Sequence, residues 1–191
     1  MPDKTKLAQI QKKIGYQFNN VNLLQQAFTR KSFASINKQQ NNEVLEFYGD
    51  RILDFIVTRE FYNKYGSINN NAELVSSKSV SELSKKNVDL VRNTTLARQM
   101  MNLNFANLIR VRHTKERQSL KFQADLFEAI LGAVALDSNW DLDSLDVVYK
   151  NMMVGYNENS KNRKNQYIPG DGLLKLILCR YESINSLHNP K

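Results

Sequence analysis

NEVLEFYGDRILDFIVTREFYNKY, residues 42–65, holds Glu43, Glu46 and Asp50 at spacings of i, i+3 and i+7. At about 100° per residue these acids fall within a roughly 60° arc of one helix face. Leu45, Tyr48, Ile52 and Ile56 recur at the same period on the other side. Such a helix is apolar around much of its girth yet carries a stripe of one charge sign, where an ordinary surface helix mixes its charges. Burying that stripe without counter-charge is costly, so something cationic is expected on it.

A second stretch of the same kind, ADLFEAILGAVALD, occupies residues 124–137. Asp125 and Glu128 share a face at i, i+3. Ala129, Gly132 and Ala135 flank them and permit close approach of another helix, while Phe127, Leu131 and Val134 point into a core. If the two helices meet on these faces, Glu46, Asp50, Asp125 and Glu128 form one carboxylate cluster. Oxygen ligands without histidine or thiol suit Mg²⁺, with Mn²⁺ as a substitute, and not zinc. Di-iron bundles use Glu-x-x-His pairs, and neither His113 nor His188 stands three residues after a glutamate. Either acidic pair alone reads as ordinary surface charge; two such stripes on mostly apolar helices favour a metal site.

Working outward, 27 Lys+Arg against 19 Asp+Glu leave a net charge of +8. That balance fits a polyanionic partner and equally fits simple solubility. One cysteine, Cys179, excludes an internal disulfide and fits a reducing, intracellular compartment, cytoplasmic or nuclear. No apolar run approaches the roughly 18 residues of a membrane span, and Met-Pro-Asp-Lys-Thr does not read as a signal peptide, so no membrane partner is expected.

In chain order the pattern is helix after helix. Segments 7–14 and 21–28 are short and amphipathic, divided by Gly15 and Asn19-Asn20. Residues 35–42 read as a polar loop ending in Asn42 as N-cap of the acidic helix. Residues 66–72 break the chain, and helices are expected over 73–86 and 89–102. RVRHTKERQSLK, residues 110–121, has no apolar period and reads as an exposed basic loop. Helices follow over 122–136 and 142–153. No repeat and no convincing strand is found, so the expected fold class is all-α.

These residues carry a family resemblance. NNEVLEFYGDRIL resembles the signature N-E-R-L-E-F-L-G-D of the ribonuclease III family, and QADLFEAILGAVALD is similar to its second acidic block. IGYQFNNVNLLQQAFTRKS resembles the family's opening helices, with Thr29 and Ser32 at positions of a T-H-x-S motif, and ELSKKNVDLVRNTTLA resembles its middle segment. Together these cover roughly residues 7–150. The resemblance implies a helical endonuclease domain acting on double-stranded RNA and leaving 5′-phosphate and 3′-hydroxyl ends. It implies catalytic roles for Glu43, Glu46, Asp50, Asp125 and Glu128, the last four as metal ligands and Glu43 beside the scissile strand. Alternatives are a catalytically silent RNA-binding or ribosome-associated member of the fold, or an unrelated phosphohydrolase of small nucleotides.

Three features depart from the family pattern. Arg51 stands where a small residue is usual, and helix geometry turns it off the acid stripe. Val80 stands where many members carry an auxiliary acid, a role that Glu82 could take instead. The segment 110–121 lacks the usual glycines, and its Arg110, Arg112, Lys115, Arg117 and Lys121 are candidate phosphate contacts or simply a solvated loop.

The expected organisation is a catalytic domain over 1–155, a linker over 156–172, and a terminal helix or truncated start of a further domain over 173–191. Phe47 lies about 160° from Leu45, on the carboxylate side. A large aromatic there predicts a two-fold homodimer, each Phe47 covered by the other subunit; the alternative is packing within its own chain. The resemblance agrees with the dimer, since the corresponding Phe inserts into the partner.

Overall fold

The computed structural model describes residues 4–153. Three short helices open the chain, α1 (Lys4–Ile14), α2 (Val21–Ala27) and α3 (Lys31–Asn37), followed by the long α4 (Glu43–Tyr65). A two-stranded ribbon, β1 (Gly66–Ile68) and β2 (Leu74–Ser76), precedes α5 (Val80–Val91) and α6 (Asn93–Asn102). After 3-10 turns at Ala106–Leu108 and Thr114–Gln118 come α7 (Leu120–Asp137) and α8 (Leu142–Met152).

Helix α7 is the centre of the fold because its sequence is apolar on every side. Each residue from 123 to 135 is buried except Glu128. A helix of that composition must be wrapped by others, and α4, α6, α2 and α8 supply the wrapping. Ser119 starts α7, its hydroxyl accepting from the Phe122 N–H at 3.4 Å. At the other end Asp137 accepts from the Tyr16 hydroxyl at 2.9 Å and from the backbone N–H groups of Asn19 and Asn20 at 2.8 and 2.7 Å. This ties the turn between α1 and α2 to α7, and burial beside that carboxylate pushes the Tyr16 hydroxyl up to about 12.

Two glycines set the distance between α4 and α7. A Cβ on Gly49 would stand 1.7 Å from the Glu128 carbonyl oxygen, and one on Gly132 would stand 2.1 Å from the Leu45 carbonyl oxygen. Only hydrogen fits at either position, so the backbones touch and the acidic faces of both helices are brought to one crossing.

The fold is helical, as expected, with several local corrections. The ribbon pairs Gly66 with Ser76, Ser67 with Val75 and Ile68 with Leu74. Its three-residue strands are too short to show an alternating pattern, and the Asn69 side chain makes the turn by accepting from the Asn71 and Glu73 N–H groups, both at 2.9 Å. The expected helix over 73–86 therefore starts only at Val80, behind a Ser79/Glu82 capping box. Arg92, extended at φ −62° and ψ 145°, breaks the expected helix over 89–102. Residues 35–37 belong to α3, and the loop begins at Lys38 in the left-handed conformation. Asn42 stands at the N-cap of α4 as expected, but its buried side chain makes no capping bond, and Asn41 instead accepts from the Glu43 N–H at 2.9 Å. The segment 110–121 is not simply a loop, since it forms a 3-10 turn and the first residues of α7. The expected linker over 156–172, the terminal segment over 173–191 and Cys179 lie outside the described residues.

Candidate active site

The crossing of α4 and α7 brings carboxylate oxygens of Glu46, Asp125 and Glu128 within 4.8 Å of one another. Asp50 lies outside this trio; its Oδ2 is 3.0 Å from Arg51 Nη2. Arg51 thus turns back onto its neighbour, against the expectation that it would point off the stripe. Glu43, one turn before Glu46, is exposed and 3.3 Å from Lys31 Nζ.

Charge crowding is strong where the two helices meet. Burial, then the charges of Asp50, Asp125 and Glu46, push the Glu128 carboxyl up to about 8. Burial and then Asp125 also raise Glu46. Glu128 has no hydrogen-bond or ion-pair partner among the described residues. Converging oxygen donors with excess negative charge fit a hard divalent cation, and Glu46, Asp125 and Glu128, with Asp50 beside them, are the residues that would hold one.

Two cations of the chain itself already touch both Glu46 and Asp125. Arg30 Nη1 is 2.8 Å from Asp125 Oδ2 and 3.7 Å from Glu46 Oε2. Lys121 Nζ is 2.8 Å from Asp125 Oδ1 and 3.5 Å from Glu46 Oε1, and that first bond raises the Lys121 ammonium. Arg30 is buried because its backbone is clipped in place. Its N–H donates to the Arg110 carbonyl at 3.0 Å, the Arg110 N–H donates to Phe28 O at 2.7 Å, and the Asn42 N–H donates to Thr29 O at 2.9 Å. Its guanidinium lies 3.9 Å from the Phe122 ring centroid. Neither Arg30 nor the Gly49 contact was anticipated from sequence. The only signals were a basic residue inside TRKS and a glycine on an otherwise bulky helix.

A family model described as Ribonuclease-III-like matches residues 20–153. The chain belongs to the ribonuclease III family. It is 46% identical over 149 residues to Ribonuclease 3 of Treponema succinifaciens and 41% identical over 160 residues to that of Roseburia hominis, each match covering 75% of this chain. The matches cover 40% and 45% of those relatives' own lengths, less than half of each. Ribonuclease 3 of Actinobacillus succinogenes is 32% identical over 179 residues, which is 87% of this chain and 73% of the relative. Two solved structures of the ribonuclease III nuclease domain from Campylobacter jejuni superpose with TM-scores of 0.64 and 0.63 at 26% and 27% identity. They cover 77% and 86% of this chain and 95% and 100% of their own, and one is described as structurally flexible in a region involved in dimer formation.

Against this ribonuclease III framework the remaining candidate residues divide. Of the five basic candidates, Arg112, Lys115 and Lys121 are exposed. Arg110 donates to Thr29 Oγ1 and Gln39 Oε1 and lies over the Phe33 ring. Arg117 donates to Ile109 O at 2.8 Å, and Lys121 is on the acids. The segment is fixed by Glu116, which accepts from the Ser32 hydroxyl at 2.6 Å and the His113 N–H at 2.9 Å. Glu82 is taken up in capping α5 and pairing with Lys78, which holds its carboxyl down at about 2.

Phe47 is 61% exposed. Its ring stands 5.7 Å from that of Tyr48, which lines a mostly apolar cavity of about 290 Å³ with Arg51, Ile52, Phe55, Trp140, Leu142 and Leu145. No described helix is long and apolar enough to cross a membrane.

Proposed function

We propose that this chain is a divalent-metal-dependent endoribonuclease that cleaves double-stranded RNA, leaving 5′-phosphate and 3′-hydroxyl ends. The observation that carries this reading is the convergence of Glu46, Asp125 and Glu128 at the glycine-lined crossing of α4 and α7 in a ribonuclease III family chain. Glu46, Asp50, Asp125 and Glu128 would hold Mg²⁺ or Mn²⁺. When bound there, such an ion supplies positive charge for the phosphate oxygens and acidifies a water for attack. The protein's own share is to keep the carboxylates aimed at one point. Glu43, exposed at the start of α4, is suited to border the cut strand, and Arg112 and Lys115 to meet phosphates. The working unit in this reading is a homodimer. An exposed Phe47 beside an apolar cavity gives a self-complementary patch, and covering each ring contributes about 1.5–3 kcal/mol.

The engagement of both Asp125 oxygens by Arg30 and Lys121 is the one observation favouring a silent RNA-binding member instead. One experiment separates the two. The purified chain is incubated with duplex RNA in Mg²⁺, in Mn²⁺ and in EDTA, and the product ends are typed. Cutting that needs metal and leaves 5′-phosphates supports the enzyme; binding without cutting in every metal supports the silent member and ends the catalytic proposal.

A further inference from the structure

Both oxygens of Asp125, a residue 3% exposed, are held by cations, and those two cations differ in kind. The Lys121 side chain is mostly exposed and can swing into solvent. Arg30 is 9% exposed, with its backbone tied to Arg110, its guanidinium over Phe122, and Nη1 within ion-pair distance of both Asp125 and Glu46. A guanidinium does not give up its charge in a protein, and one stacked and clipped in this way has nowhere else to go. Removing one partner of a buried charge pair strongly destabilises a fold. The acids beside Asp125 would repel it further if Arg30 were absent.

We propose that Arg30 is a resident counter-cation of the acid cluster. It keeps Asp125 and Glu46 assembled when no metal is bound and competes with a divalent ion for them. In this role it is a positioning residue, acting through the carboxylates it holds. The proposal rests on the metal-binding reading above. It implies that metal-free protein is more stable, and metal affinity lower, than the carboxylates alone would give.

The test compares the full chain with Arg30→Met, which can still cover Phe122 without charge, and with Arg30→Lys, which restores the charge. Mn²⁺ affinity is measured by calorimetry, and thermal unfolding is followed in EDTA and in saturating Mn²⁺. Arg30→Met is expected to melt lower than wild type in EDTA and to regain more on adding Mn²⁺. Its Mn²⁺ affinity is expected to be on the order of tenfold tighter, since a like charge in contact with the carboxylates that would hold the ion is gone. Arg30→Lys is expected near wild type in both measurements. Equal or weaker Mn²⁺ affinity in Arg30→Met would overturn the proposal. So would a loss of stability that is the same with and without metal, or an Arg30→Lys variant no better than Arg30→Met, because either marks Arg30 as packing alone. If Arg30→Met folds only with Mn²⁺ present, that supports the proposal; failure to fold under both conditions, repeated in Arg30→Gln, counts against it. Absence of Mn²⁺ binding in wild type and both variants would sink the metal reading and this inference with it, an outcome distinct from equal affinities.

Discussion

Glu128 is the acid of the cluster whose surroundings do least to satisfy its charge, since neighbouring carboxylates face it and no cation pairs with it among the described residues. Replacing it with glutamine keeps the volume and removes the charge that would bind metal. Glu128→Gln should lower cleavage by more than about a hundredfold, beyond the 10–100-fold that an outer partner of a ligand is worth. Duplex affinity in a gel-shift assay should barely change, because phosphate contacts carry it. Asp50→Asn should act in the same direction, and unchanged activity across a metal titration would remove either residue from the site. The same carboxyl makes metal-free stability depend on pH. Folding raises Glu128 from its ordinary 4.5 to about 8, so the native state keeps a proton that the unfolded chain has released. Its contribution is complete below pH 4.5 and is lost as pH rises to about 8. In EDTA, wild-type Tm should therefore fall across that window relative to Glu128→Gln, and parallel profiles would contradict the shift.

At the scale of elements, the crossing of α4 and α7 tolerates no side chain. Gly49→Ala or Gly132→Ala would push a methyl group into the partner's carbonyl, and backbone on both sides leaves no flexible group to yield. Overpacking of this kind costs about 3 kcal/mol, the upper part of the usual range. Urea unfolding should show a lower midpoint at unchanged m-value. Because the same crossing aims the acids, any folded Gly49→Ala protein should also bind Mn²⁺ more weakly. The small residues on α7 revealed one side of this seam to sequence reading. Gly49 did not announce itself, because a glycine within a helical pattern looks the same whether it lies against another helix or faces water.

At the scale of the molecule, two surfaces can be tested. Phe47 and its neighbouring cavity predict that wild type sediments as a dimer at micromolar concentration and that Phe47→Ala shifts it toward monomer. A monomeric wild type that still cuts both strands would rule the dimer out. On the proposed RNA-facing side, Arg112 and Lys115 are the exposed candidates with no side-chain partner among the described residues, whereas Arg110, Arg117 and the exposed Lys121 hold internal partners. Alanine at both Arg112 and Lys115 should weaken duplex binding and make it less sensitive to salt, the slope falling by about one for each phosphate no longer neutralised. Sequence preference should not change. Alanine at Arg117 should lower stability instead, because the Ile109 carbonyl loses its donor.

The residues alone determined that Glu43, Glu46 and Asp50 share a face, that Asp125 and Glu128 share another, and that the chain is built of helices. Helical phase is a local, covalently fixed property, so spacing is enough to read it. Which groups meet across the fold is not encoded in that phase. Arg30 reaches Asp125 over a separation of 95 residues, and only the packed arrangement of α2, α4 and α7 selects it from the many cations available. The three-residue strands exist through hydrogen bonds to each other, with no apolar period to mark them. The basic segment follows the same logic: its composition was plain from sequence, but burial and hydrogen bonding decided which of its charges the protein keeps for itself.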